Sequence, residues 1–313
     1  MRTFFQFTLI LLSVVSVSSA FAQTKSYNDS ISNHYKQLVS ANPTDWKILT
    51  EAGIFENDCN CNDNLAFKYH EAAIKSTNND SLIAISYNNI GDMYYSLDET
   101  CYAIEYHSKA LNIRKRLFGE KHPVTAECYN SIGNDYHLQG DYEKAMSLFT
   151  KALNIRKEVL GEKHIDTANS YYHIATLYRS MSDLDNATEY YHKAISIQSE
   201  ILGERNNEIA KSYDAIASMY ETSGEYDKTL DYYNKVLDIS KEINGLMHHE
   251  TAAAYTKIGY LYVILKDFDK SIYFLNQALD ITKRLFGENH TNTLIIEEAI
   301  RNVYFVFDKS SAQ

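Results

Sequence analysis

The phrase Ala110-Leu-Asn-Ile-Arg-Lys115, closed by Gly119-Glu-Lys-His122, returns 42 residues later as Ala152-Leu-Asn-Ile-Arg-Lys157 and Gly161-Glu-Lys-His164. Gly119, Gly161, Gly203, Gly245 and Gly287 all keep that offset. A fixed period of a few tens of residues constrains a fold more tightly than composition does. Each period is one supersecondary unit that cannot bury its apolar face alone and is stabilised by stacking on its neighbours. The 313 residues are therefore expected to form one array, not two globular domains.

Between 84 and 293 the phase is strict over five units. Ala84, Ala126, Ala168, Ala210 and Ala252 form one identical column, and Tyr87, Tyr129, Tyr171, Tyr213 and Tyr255 another. Ile90, Ile132, Ile174, Ile216 and Ile258 follow, then Tyr94, Tyr136, Tyr178, Tyr220 and Tyr262. These columns lie three, three and four residues apart, which is one face of an α-helix. Beside the Ile column stand Gly91, Gly133, Ala175, Ala217 and Gly259. Glycine in mid-helix is costly for a helix alone, so this column predicts close approach of a neighbouring helix. Gly140, Ser182 and Gly224 mark a turn. Ala103, Ala145 and Ala187, then Phe149, Tyr191 and Tyr233, then Ala110, Ala152, Ala194 and Ala278 define a longer second helix. The five glycines are expected to stop it in the left-handed C′ position. Only Pro43 and Pro123 are proline, which suits long helices.

The flanks read as caps. Residues 23–83 are expected to hold a leading helix (Ile31, Tyr35 and Leu38 on one face) and a degenerate repeat. That repeat has one helix entered through Thr44-Asp45 and another spanning Leu65 to Ile74, with Ala66, His70 and Ala73 on one face. Residues 294–313 read as a closing helix and a short tail. At the other end, Met1-Arg2-Thr3, the apolar run Phe4 to Val17 and Ser18-Ser-Ala-Phe-Ala22 match a secretory signal cut after Ala22. The apolar run is short for a spanning helix, and an uncleaved anchor is the alternative to a cleaved signal. The mature chain, from Gln23, is thus expected in the periplasm or outside the cell, without membrane insertion. A net charge of −11 argues against nucleic acid as a partner.

No catalytic constellation is present: no phosphate-binding Gly loop, no nucleophile elbow, no His-Glu-x-x-His helix. The chain reads as a non-enzyme with no cofactor. His122, His164, His248 and His290 recur between units, with Asn206 in the remaining copy. Helices pack ~8–10 Å apart, too far for equivalent side chains to share an ion at bonds of about 2 Å. Loop and cap hydrogen bonding is the expected role, and no metal is assigned. Cys59 or Cys61 could bridge to Cys101, or pair with each other, or stay free; Cys128 lies on a first helix.

The alternation of small and large residues, with "Ala-Leu-x-Ile-Arg-Lys…Gly-Glu-Lys-His-Pro…Thr-Ala…Tyr-Asn-Ser-Ile-Gly" over 110–133, resembles the tetratricopeptide repeat of the kinesin-light-chain variety. The resemblance covers 84–293 well and 44–83 loosely. The export signal and the lack of a heptad region depart from kinesin light chains, so no motor role is expected. The resemblance implies an all-α, right-handed superhelical solenoid whose concave groove binds a peptide or partner protein. Carried onto this chain, the groove positions are Asn88, Asp92 and Tyr95, then Asn130, Asn134 and His137, then Tyr172, Thr176 and Arg179. Asp214, Ser218 and Glu221 follow, then Thr256, Tyr260 and Val263. Unlike the packing columns, these differ from repeat to repeat. The asparagines offer paired donors and acceptors to a peptide backbone. The alternative function is an extracytoplasmic signal-sensing domain acting with a separate membrane regulator.

Overall fold

The computed structural model describes the backbone of residues 17–58 and 62–311, and side chains within 28–305. Every described element is a helix. The flanking helices are α1 (Val17–Ala41), α2 (Trp46–Asp58) and α3 (Asp63–Lys75). Five repeats follow, each a first helix and a longer second one: α4 (Asp80–Ser96) with α5 (Thr100–Phe118), α6 (Pro123–Gln139) with α7 (Tyr142–Leu160), and α8 (Ile165–Ser180) with α9 (Leu184–Leu202). The last two are α10 (Asn207–Ser223) with α11 (Tyr226–Ile243), and α12 (His249–Ile264) with α13 (Phe268–Phe286); α14 (Thr291–Ser311) closes the order. The chain divides into two compact units, Thr24–Ile197 and one containing Gln198–Gln313.

The small column does what its sequence implies. A Cβ on Gly133 would sit 2.6 Å from the Phe149 ring, and one on Gly259 2.7 Å from the Leu275 side chain. Gly91 stands in the same relation to the His107 ring. In the degenerate repeat, Gly53 opposes the His70 ring at 2.6 Å. In these four pairs the first helix thus receives a large side chain of its own second helix where it has no side chain. Around this contact, Phe149, Tyr171, Ile174 and Leu177 form a buried core in the first unit. Tyr233, Ile258, Leu261, Leu275 and Ile296 form one in the second. The leading helix adds Tyr35 and Val39 against Leu49, Ala52 and Tyr69.

The left-handed turn lies in a different place from the one the glycines suggest. Positive φ recurs inside each repeat, at Asp98 (59°), Gly140 (84°), Ser182 (61°), Gly224 (79°) and Lys266 (61°). The next amide in each case donates back to the Tyr column: Glu99 to Tyr94, Asp141 to Tyr136, Asp183 to Tyr178, Glu225 to Tyr220 and Asp267 to Tyr262, at 2.9–3.0 Å. This is the Schellman closure. Asp141 and Asp267 then cap the second helix, accepting from Lys144 N at 3.1 Å and Lys270 N at 3.2 Å. Gly119, Gly161 and Gly287 have φ near 90° but ψ near 170°. They occupy the extended mirror region that only glycine takes, not the left-handed helical cap expected from sequence.

That extended glycine aims its carbonyl at the next repeat. Thr125 Oγ1 donates to Gly119 O at 2.8 Å, Thr167 to Gly161 at 2.8 Å, Thr251 to Gly245 at 2.9 Å and Thr293 to Gly287 at 2.9 Å. The histidines cap the following helix: Nδ1 of His122, His164, His248 and His290 accepts the amide two residues on, at 3.1–3.3 Å. In the remaining repeat Ile209 replaces the threonine, and Asn206 serves both roles. Its Oδ1 caps Ile209 N at 3.0 Å and its Nδ2 donates to Gly203 O at 2.8 Å.

Residues 1–16, most of the expected signal segment, and Cys59 and Cys61 lie outside the described residues. The backbone of α1 continues through the expected cut after Ala22. Among the described residues no helix is long and apolar enough to cross a membrane. Cys101 is exposed and Cys128 buried, and they are not joined to each other.

The interlock makes a signed prediction. Gly→Ala inside a helix normally stabilises by about 1 kcal/mol, but overpacking a filled core costs about 1–3 kcal/mol. Gly133→Ala should therefore lower unfolding stability by up to about 2 kcal/mol in urea titration, because Phe149 is fully buried and cannot retreat. A stabilised variant would show that the Phe149 ring does not fill the space beside Gly133.

Candidate functional site

Within the unit Thr24–Ile197 the first helices touch one another as well as their own second helices. In the unit Thr24–Ile197, α4, α6 and α8 are successive first helices with contacts from each to the next. Their packing columns point to the second helices. The residues between those columns form the face on which the expected groove positions fall.

On α4, Asn88 Nδ2 donates to Asp92 Oδ2 at 2.8 Å, and Asn88 Oδ1 is buried with no partner. Asp92 keeps 58% of its side chain exposed. Its Oδ1 lies 3.2 Å from His107 Nε2, and His107 Nδ1 lies 2.7 Å from Asp135 Oδ2. His107 and Asp135 are buried. Burial alone would lower the His107 pKa, but the hydrogen bonds to Asp135 and Asp92 outweigh it and push it up to about 9. The imidazole is therefore cationic near neutrality, flanked by a buried and an exposed carboxylate. Tyr95, one turn further, is exposed.

On α6, Asn130 is 5% exposed. It lies beneath the face rather than on it, and its Oδ1 has no partner. Asn134 and His137 are half-buried. His137 Nε2 lies 2.7 Å from Ser180 Oγ on α8. Burial, with the charge of Arg179, holds the His137 pKa below its usual value. On α8, Tyr172 is half-buried and meets the Tyr191 ring edge-on at 5.4 Å. Thr176 Oγ1 is 3.1 Å from Tyr191 OH. Arg179 is exposed. The structure thus joins Asn88 to Asp92, bridges α6 to α8 through His137, and seats Tyr172 and Thr176 on one buried tyrosine.

In the second unit the same positions are more self-satisfied. Asp214 forms an ion pair with Lys257, and Tyr233 OH donates to Glu221 Oε2 at 2.7 Å. Thr256 Oγ1 returns to Ala252 O at 2.8 Å, and Ser218 and Val263 are half-buried. Tyr260 is exposed. A hollow of about 190 Å³ opens between α10 and α12, lined by Ala210, Asp214, Ala253 and Lys257 among others.

Sequence reasoning missed His107, Asp135 and Lys257. A signal existed for the first two. His107 stands where Phe149, Tyr191, Tyr233 and Leu275 stand, and Asp135 where Met93, Leu177, Met219 and Leu261 stand. Among the described residues no three His, Cys, Asp or Glu side chains gather to hold a metal ion. The recurrent histidines are the helix caps described above.

Models of the tetratricopeptide repeat match residues 82–158, 134–191, 166–242 and 251–292. No curated protein matches the chain. Among solved structures, BtubC (BKLC) from P. vanneervenii aligns at 16% identity over 86% of this chain and 93% of its own, with a TM-score of 0.57. A putative kinesin light chain from Podosopora anserina, with nearly identical TPR-like repeats, aligns at 17% identity over 67% and 99%, TM-score 0.56. A Rap protein complexed with Competence and Sporulation Factor aligns at 16% over 84% and 76%, TM-score 0.57. At these identities the likeness is one of fold.

The His107 pair has a pH signature. A group whose pKa rises on folding contributes stability that is complete below its unfolded value, 6.5, and lost as pH rises through about 9. The reference is the double variant H107F/D135L, which carries apolar residues at both positions. Relative to it, the natural chain should lose stability between pH 6.5 and 9, measured by urea unfolding at several pH values. A constant difference across that window would mean that His107 is neutral in the fold.

Proposed function

The chain belongs to the tetratricopeptide repeat family, and from that premise we propose that it is an exported interaction module. It holds an extended segment of a partner protein against its first-helix face. The observation that carries this reading is the contrast between columns. The columns of Ala84, Tyr87, Ile90 and Tyr94 are identical in all five repeats, while positions 88, 92 and 95 and their equivalents differ in size, charge and hydrogen-bonding capacity. Packing alone would not require that variety. An array of first helices presenting different polar and aromatic groups at a regular spacing suits recognition of a chain laid across them. Asn88, Asp92 and Tyr95 reach solvent on α4, and Asn134, His137, Tyr172 and Arg179 continue the face on α6 and α8. The buried Asn130 supports the face from below. In the second unit, Asp214, Ser218, Glu221, Thr256 and Tyr260 hold the equivalent positions on α10 and α12. The Rap protein solved with Competence and Sporulation Factor supports a ligand-holding role for this architecture.

Two outcomes test the reading. Crosslinking in the native host, followed by affinity capture, should recover a partner set that the variant N88A/N134A/R179A loses while its thermal unfolding stays unchanged. Identical partner sets would overturn the face assignment. For export, mass spectrometry of the extracytoplasmic fraction should find a chain beginning at Gln23. Recovery of the chain from Met1 in the cytoplasm alone would contradict it.

A further inference from the structure

Two core columns change character at a single place, and the two changes meet. His107 and Asp135, two ionisable groups, stand where the sibling repeats carry uncharged aromatic or aliphatic residues, and they bond to each other at 2.7 Å, both buried. A buried ion pair is seldom better for stability than apolar side chains of similar volume, because desolvation offsets the attraction. Here the compensation is also incomplete, since Asp135 Oδ1 is buried without a partner. Stability is therefore a poor reason for the pair. What it does reach is the surface: His107 Nε2 holds Asp92 Oδ1 at 3.2 Å, while Asn88 Nδ2 holds Oδ2 at 2.8 Å.

Each carboxylate oxygen carries two acceptor sites. Both oxygens of Asp92 are tied on one side by a donor, and the side chain stays 58% exposed. A free Asp on a helix face samples several rotamers, and a partner must pay the entropy of fixing it. Asp92 is already fixed. With His107 protonated, the three groups sum to one negative charge, so the trio still attracts a cation. No sibling repeat offers this: the equivalents of Asp92 are Asn134, Thr176, Ser218 and Tyr260.

We propose that His107 and Asp135 are positioning residues that pin Asp92 as the acceptor for a lysine or arginine side chain of the bound segment. This rests on the first-helix face being the binding surface. It adds a specificity that the face alone does not have. Recognition at α4 requires a cation at one position of the ligand, and the other repeats read the rest.

The test uses an array of random-sequence dodecapeptides, probed with the full chain and with the variants D92N and H107F/D135L, beside thermal unfolding of each. The natural chain should retain peptides containing Lys or Arg about fivefold over those lacking both, the most an exposed ion pair ordinarily supplies. Both variants should lose that preference while retaining cation-free peptides as before, and H107F/D135L should melt no lower than the natural chain. A chain that retains no peptide at all would overturn the binding face and this inference together. Retention without a preference for cations, or a preference that survives in D92N, would overturn the role of Asp92 alone. A preference that survives in H107F/D135L, or a lower melting temperature for that variant, would reduce the buried pair to a structural element.

Discussion

The fold depends on one contact repeated along the chain: a large side chain of each second helix entering the space beside a small residue of its first helix. Gly133 with Phe149 and Gly259 with Leu275 show it most plainly. An isolated helix would gain from alanine at either glycine. The array forgoes that gain because the backbones must approach closely for the Ile and Tyr columns to meet their neighbours. Everything downstream follows from that approach. The Schellman turns fix how each helix pair closes, and threonine-to-glycine hydrogen bonds tie the start of the next helix to the preceding loop at four of the five junctions.

Because packing is settled by the second helices and these links, the outer face of the first helices carries few structural duties. That freedom is the physical basis for function in such an array. It is also why the exception at His107 is informative. Most repeats fill the space beside the small column with an aromatic or aliphatic side chain. Among the five strict repeats, one fills it with an imidazole that is satisfied by a buried carboxylate on one edge and an exposed one on the other. A core position has been turned into a support for a surface group.

Much of this was legible in the sequence. The period gave the helix pairs, the capping histidines and the close approach at the small column, because each of these repeats wherever its cause repeats. The family match confirms the architecture. The left-handed turns were only partly legible: Gly140 and Gly224 announce them, but Asp98 and Lys266 adopt the same backbone without the residue that usually signals it. There the closure of the helix pair imposes the conformation, and side-chain preference yields. Gly119, Gly161 and Gly287 differ from expectation for the converse reason, since a glycine reports a positive φ and says nothing of ψ. The burial of Asn130 was not legible, because it depends on the neighbouring helices rather than on its own. The His107–Asp135 pair was legible in principle as two breaks in apolar columns 28 residues apart. Only the fold shows that those columns face each other.

The central claim is that partners meet the first-helix face and not the second helices. Site-specific photocrosslinking in the living host tests it most directly, with p-benzoylphenylalanine replacing Tyr95 on α4, Tyr172 on α8, or Tyr102 on α5. Tyr95 and Tyr102 are both exposed, so chance collision favours neither strongly. Positions 95 and 172 should give a discrete adduct of the same mass, and position 102 none. An adduct from Tyr102 alone would place recognition on the second helices and contradict it.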